Sequence, residues 1–201
     1  MSARDLTLLL ALKDRTPYTF RWMAYHNFIR LPFRVFVADG GADECVPAAL
    51  SERAGFPNLD FEYVRYPYDA TCAQYYAKLA DALERIHTPF VALADNDDLF
   101  VVKGLQQSIE FLASHPDYSA CGGQCAVFWI HPDQADADAD VLYGPRIEWK
   151  CSLERTSLTD DTASARLLRL PRRTAHAVFY HVRRTEDLRR ELRLIRDAAP
   201  Q

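Results

Sequence analysis

The chain has 201 residues, a formal net charge of −4, 49% hydrophobic and 12% aromatic residues, and 5 cysteines. That length suits one α/β domain with a sizeable core, the apolar content excludes disorder over the bulk of the chain, and the mildly negative charge argues against a nucleic-acid scaffold, which would carry a basic face. No uninterrupted apolar run approaches the ~18 residues that span a bilayer. Met1–Asp5 runs straight into an apolar segment too short for a signal sequence, and Cys45, Cys72, Cys121, Cys125 and Cys151 lack paired spacing, so the chain reads as cytoplasmic and free of a disulfide framework.

Leu6–Leu12 is a continuous apolar run, the pattern of a central strand covered on both faces. It ends in Lys13-Asp14-Arg15-Thr16-Pro17, a charged loop with proline at the start of a helix. The apolar face of that helix is read as Phe20, Met23, Ala24 and Phe28, and its stop as Leu31-Pro32. Arg34–Ala38 is a second buried strand, which delivers Asp39-Gly40-Gly41 to the same edge as the first loop if the strands are parallel. The glycines there either let backbone approach a ligand closely or supply positive φ for a turn. A helix through Val46, Ala49 and Leu50 follows, and Asp60–Tyr66 then alternates polar and apolar as a half-exposed strand does. Cys72, Tyr75, Tyr76, Leu79, Leu83 and Ile86 keep helical spacing, which predicts an amphipathic helix over Thr71–His87. On it, Lys78 is followed four residues on by Ala82 and not by an acid. It is therefore either a solvated surface lysine or a cation free to face a ligand.

Phe90–Ala94 is a charge-free run that stops abruptly in Asp95-Asn96-Asp97-Asp98. The carboxyl end of a strand in an open α/β sheet is where ligands bind. Crowded carboxylates repel, and a divalent cation with oxygen ligands, such as Mg2+ or Mn2+, relieves the repulsion best; the alternative is a solvated acidic turn capping the next helix. That helix is marked by Leu105, Ile109 and Leu112 and ends near His115-Pro116-Asp117. Tyr118–Ile130 reads as a strand broken at Gly122-Gly123 by a bulge or a backbone-to-ligand approach, with Cys121 and Cys125 as core thiols. The aspartate-rich stretch 132–140 lacks the Gly and Glu of a calcium loop and reads as a mobile loop. Thr156–Arg173 reads as irregular and charged, and contains the acidic pair Asp160-Asp161. Ala175–Val182 is the last predicted strand, with His176 and His181 on opposite faces, and Thr185-Glu186-Asp187 opens a final helix through Leu188, Leu192 and Ile195.

Four blocks, by their order and spacing, resemble those of the inverting GT-A glycosyltransferases of family 2, and especially the bacterial surface-polysaccharide branch. They are Ala11-Leu12-Lys13-Asp14-Arg15, Phe36-Val37-Ala38-Asp39-Gly40-Gly41, Tyr76-Ala77-Lys78-Leu79 and the DXD-like Asp95-Asn96-Asp97-Asp98. Gly122-Gly123 and Tyr180-His181-Val182-Arg183-Arg184 are fainter echoes. The likeness is good over about residues 5–125 and loose beyond. It implies an α/β fold with a GT-A-like open, mostly parallel twisted sheet and helices on both faces. It further implies one domain over 1–201, with a nucleotide-sugar-binding half over about 1–125 and a partial acceptor-side half over about 126–201.

The same resemblance implies transfer of a sugar, with inversion, from a nucleotide diphosphate sugar to a hydroxyl of a glycan or lipid-linked acceptor in polysaccharide biosynthesis. The location is then cytoplasmic or peripheral at the inner membrane face. By the same likeness Asp14, Arg15, Asp39, Lys78 and Asp95 line the nucleotide site, with Asp39 on the base, and Asp95, Asp97 and Asp98 hold Mg2+ or Mn2+ against the diphosphate. An inverting transfer also needs a general base within about 3 Å of the acceptor hydroxyl. The candidates are Asp160, Asp161, Glu186 and Asp187; the reading favoured from the sequence is that the base lies beyond a truncated chain. Two other classes remain: a nucleotide-sugar binding module without transfer, and a sugar-nucleotide nucleotidyltransferase. The latter usually carries a Gly-rich, Arg/Lys-bearing loop after its first strand, and Lys13–Pro17 contains no glycine.

Overall fold

The computed structural model describes residues 5–131, 146–153, 157–169 and 179–198. Strand β1, Leu6–Leu12, is buried at every position, as a run of seven apolar and β-forming residues requires. Strands β2 (Arg34–Asp39), β3 (Phe61–Arg65) and β4 (Phe90–Ala94) run parallel to it, while β5 (Ala120–Cys121) and β8 (Val182–Arg184) pair antiparallel to one another. The sheet of six strands has the order β3-β2-β1-β4-β8-β5, with β8 antiparallel to β4 as well.

Alternation along β1 sends successive side chains to opposite faces, and each face finds its own helices. Leu6, Leu8, Leu10 and Leu12 share one core with Trp22 and Met23 of α1 (Thr16–Phe28), Val46 and Leu50 of α2 (Cys45–Ser51), and Leu105, Ile109 and Leu112 of α4 (Val102–Ser114). Leu9 and Ala11 share the other with Leu79, Ala80 and Leu83 of α3 (Cys72–Glu84) and Leu188 and Leu192 of α6 (Thr185–Ala198). Each such leucine, fully buried, contributes about 1.5–3 kcal/mol. Helix α3 begins with a reciprocal capping box between Thr71 and Gln74, which fixes its start at the position its sequence pattern predicts.

Several sequence expectations need correction. The buried stripe of α1 is Thr19, Trp22, Met23 and His26, whereas Phe28 is 82% exposed at the helix end. Counting only aliphatic and phenyl groups misplaced the stripe, because His26 enters the core as a neutral ring, its pKa pushed down to about 4 by burial. The break at Gly122-Gly123 is not a bulge within one strand: it lies between β5 and β6 (Cys125–His131), which belong to different sheets. Strand β6 pairs with β7 (Arg146–Leu153), an element the sequence reading did not separate, and α5 (Ala163–Arg169) forms inside the stretch read as irregular. The last strand is only Val182–Arg184 and is preceded by a turn at Tyr180-His181. The expected loop over 132–140 and residues 175–178 of the expected strand, His176 included, lie outside the described residues.

Candidate active site

The strand order decides where a site can form. The chain runs β1, β2, β3 outward to one side and then returns to place β4 on the other side of β1, so the loops after β1 and β4 part from a common switch point at the carboxyl edge. Ligands of open α/β sheets bind in that crevice. The loops after β1, β2, β3 and β4 are tied together there. Gly40 N donates to Leu12 O at 3.0 Å, Asp69 N to Gly40 O at 3.0 Å, Ala42 N to Asp14 Oδ1 at 2.9 Å, and Asn96 Nδ2 to Thr19 Oγ1 at 3.1 Å.

Beneath the crevice lies a buried ion pair. Lys78 Nζ donates to Asp69 Oδ2 at 2.5 Å and to Leu12 O at 2.7 Å, and both charged side chains are 2% exposed. Burial acts to pull the lysine pKa down and Asp69 opposes it. Lys78 is thus neither solvated nor free to turn toward a ligand; it is consumed in joining α3 to the loops after β1 and β3. Gly40 has no side chain because a Cβ there would sit 2.4 Å from Asp69 Oδ2, and a Cβ on Gly41 would sit 2.8 Å from Asp14 N. No described glycine has positive φ, so packing against carboxylate loops is what requires these two, not turn geometry.

Asp39 is also used internally. Its Oδ1 accepts from Gly41 N at 2.8 Å, and its Oδ2 accepts from Tyr63 OH at 2.7 Å and Arg65 Nη1 at 2.6 Å. The side chain is 3% exposed. The expectation that Asp39 reads a nucleotide base therefore meets a carboxylate with both oxygens engaged by the edge strand and its own loop. Burial and the Asp39 charge together push the Tyr63 hydroxyl pKa up, so it stays a donor.

Asp14 and Arg15 adopt left-handed backbone, φ 55 and φ 56, just before α1. Asn96 explains how that turn persists: its Nδ2 lies 3.4 Å from the carbonyls of both Asp14 and Arg15, and the side chain is buried. The middle residue of the acidic motif thus faces backward into the first loop. Its three acidic neighbours form the cluster, with one carboxylate oxygen from each of Asp95, Asp97 and Asp98 within 4.8 Å of the others. Burial, first, and the Asp97 charge raise the pKa values of Asp95 and Asp98, against the pull of the Tyr180 hydroxyl. Tyr180 OH donates to Asp95 Oδ2 at 2.9 Å, and Arg15 Nη2 sits 2.8 Å from Asp97 Oδ2. A grouping of oxygen donors at this spacing, short of positive charge, fits a hard divalent cation.

Two of the general-base candidates, Glu186 and Asp187, are not gathered here. Thr185 Oγ1 donates to Thr88 O at 2.7 Å and Thr185 N to Pro89 O at 3.0 Å, which pins the start of α6 to the amino end of β4. Glu186 and Asp187 follow directly, so they stand at the edge of the sheet opposite the cluster, about 16 Å away at ~3.3 Å per strand residue. Neither can serve a reaction at Asp97, and they pair instead with Arg189 and Arg190. Asp160 is held by Arg166 and Arg169 of α5, with Asp161 beside it. A shallow cavity lined by Thr7, Arg34, Asp60, Arg85 and His87 opens at that same far edge and contains none of the clustered carboxylates. The sequence reading missed Asp69, the Tyr63–Arg65 pair and the contact made by Tyr180. The period-2 placement of Tyr63 and Arg65 on a half-exposed strand was the one available signal.

No protein-family model matches the chain, and no curated protein matches its sequence. Similar solved structures exist. Residues 1–349 of TarS from S. aureus align over 93% of this chain and 49% of that one, with 11% identity and a TM-score of 0.52. The mannosyltransferase PcManGT from Pyrobaculum calidifontis, in complex with GDP-Man and Mn2+, aligns over 57% of this chain and 34% of that one, with 20% identity and a TM-score of 0.48. TarS 1–349 in complex with UDP aligns over 56% and 33%, with 15% identity and a TM-score of 0.44. The chain spans at most about half the length of these structures. At such identities the likeness concerns fold, and it agrees with the mostly parallel sheet flanked by helices described above.

Proposed function

We propose that the chain is the donor-binding part of a glycosyltransferase that moves a sugar from a nucleoside diphosphate sugar to an acceptor hydroxyl with inversion, assisted by Mg2+ or Mn2+. The observation that carries this reading is the convergence of Asp95, Asp97 and Asp98 with the Asp14–Arg15 turn at the switch point of a parallel sheet. A bound divalent cation would be held by those three aspartates, and it supplies stabilisation of the charge that develops on a departing diphosphate. The chain's own residues do the rest. The Lys78–Asp69 pair and Asp39 hold the loops after β1, β2 and β3 in register, Asn96 fixes the turn that carries Arg15, and Tyr180 orients Asp95. Asp39 acts in this proposal as a scaffold of the nucleotide site. Of the candidate bases, Asp160 and Asp161 are the ones left to test; the acceptor would be a glycan or lipid-linked hydroxyl.

The test is a thermal-shift titration with UDP and GDP, with and without Mn2+, since a ligand that binds only the folded state raises its apparent stability. One diphosphate should stabilise the chain in the presence of Mn2+ and lose that effect with EDTA. Asp97→Ala should weaken metal-dependent binding by about 2–4 kcal/mol, because it removes one oxygen donor and leaves the diphosphate facing the remaining carboxylates. Binding that ignores both EDTA and Asp97→Ala would remove the metal from the proposal. Tight binding of a nucleotide sugar with no turnover against a mixed acceptor pool, unchanged in a longer native chain, would identify a binding module instead.

A further inference from the structure

We propose that Arg15 is a built-in counter-cation that occupies Asp97 when no metal is present, so that Arg15 and the metal compete for one carboxylate. The inference rests on the metal reading above. Asp97 is the most exposed of the three aspartates and the one whose oxygen the guanidinium reaches, at 2.8 Å. Arg15 is not a loose side chain that drifts there. Its backbone is at φ 56 and ψ 44, directly after Asp14 at φ 55, and left-handed backbone costs about 1–2 kcal/mol for each residue with a Cβ. Asn96, between Asp95 and Asp97, bonds the carbonyls of both residues of this unfavourable turn, beside Tyr18 N, which donates to Arg15 O at 2.9 Å, and Ala42 N, which donates to Asp14 Oδ1 at 2.9 Å. The acidic loop thus grips, through its own amide, the turn that returns a cation to it.

A divalent ion on Asp97 would stand within a few ångströms of the guanidinium, and like charges at that range repel. One of the two must leave the carboxylate. Arg15 can do so without unfolding anything: its side chain is 50% exposed and its guanidinium already lies 4.4 Å from the Tyr18 ring centroid. Once displaced it remains on the rim of the crevice, where an anion arriving with the metal would meet it. Metal alone then binds against an internal competitor, whereas metal with a diphosphate does not.

The experiment is Mn2+ titration followed by electron paramagnetic resonance of the free ion, without nucleotide, on the wild type and on Arg15→Gln, Arg15→Met, Arg15→Lys, Asp97→Ala and Arg190→Gln. Arg15→Gln and Arg15→Met should each bind Mn2+ about fivefold more tightly than wild type, roughly 1 kcal/mol, as expected for a half-exposed ion pair. Arg15→Lys should stay near wild type. Arg190→Gln removes a cation paired with Asp187 at the far edge and should change nothing. With Mn2+ saturating, Arg15→Gln should bind UDP or GDP more weakly than wild type, the opposite sign to its effect on metal. Equal or weaker Mn2+ binding by both neutral variants overturns the proposal, as does equal tightening by Arg190→Gln, which would make the effect one of net charge. No Mn2+ binding by any variant, or binding indifferent to Asp97→Ala, removes the metal reading itself and this inference with it.

Discussion

His26 shows how one side chain can couple the core to pH. It is fully buried, its Nδ1 bonds Trp22 O at 2.8 Å, and its ring packs tilted by 34° against Trp22 with centroids 3.8 Å apart. The folded protein holds it neutral, with a pKa of about 4 against 6.5 unfolded. The unfolded chain therefore takes up a proton first as pH falls, and stability is lost from about pH 6.5 down to about 4. Urea unfolding should show a loss of about 2 kcal/mol between pH 7 and pH 5 from this group. Asp95 and Asp98, with raised pKa values, act with the opposite sign: stability they withhold at neutral pH returns as they protonate. His26→Gln should remove the histidine contribution and flatten the profile between pH 7 and pH 5; an unchanged pH profile would show that the ring is not the titrating group. Residues of this kind were hard to read from sequence. The apolar run ending at Ala94 announced the acidic cluster, but Tyr180, 85 positions from Asp95, is joined to it by no local pattern.

At the level of elements, the Lys78–Asp69 pair is the joint between α3 and two loops, and its removal should be felt as a shift of a whole helix. Lys78→Ala leaves a buried carboxylate without its partner and should cost about 3–5 kcal/mol, while a double Lys78→Met, Asp69→Leu change should recover much of that, as hydrophobic replacements of buried pairs often do. Gly40→Ala drives a methyl onto Asp69 and should cost about 1–3 kcal/mol by overpacking. Chemical denaturation of the three variants measures all of this, and a Gly40→Ala protein as stable as wild type would mean that Asp69 yields easily. Helix α6 is tied to the same helix from the other end: Arg189 donates to Leu83 O in the last turn of α3 and to Ile86 O just beyond it. The helices and parallel strands were readable because β1, β2 and β4 are continuous apolar runs and α3 and α4 repeat at helical spacing. The strand β7 carries a period-2 signal, Arg146 to Leu153 alternating polar and apolar, that the sequence reading passed over, and the glycine pair before β6 was ambiguous because a glycine break can mean a bulge or a change of sheet.

For the molecule as a whole, β8 matters most. It comes from the C-terminal part of the chain yet lies between β4 and β5, pairing Val182 with both Ala92 and Cys121. A chain ended at His131 would leave β4, the strand that carries the acidic cluster, with an unpaired edge, and open edges invite association with other chains. Such a fragment should elute as aggregate in size-exclusion chromatography and lack cooperative unfolding; a monomeric, cooperatively folding fragment would show that β4 needs no cover. Thr185 and Thr88, which bond where β8 meets α6, are 97 positions apart in sequence. A ribosome adds about 5–20 residues each second, so β4 waits some 5–20 s in every newborn molecule before the strand that shields it has been made. During translation the side of the sheet next to the acidic cluster is the last to be closed, and a cell that makes this protein has to keep that edge from other nascent chains for that interval.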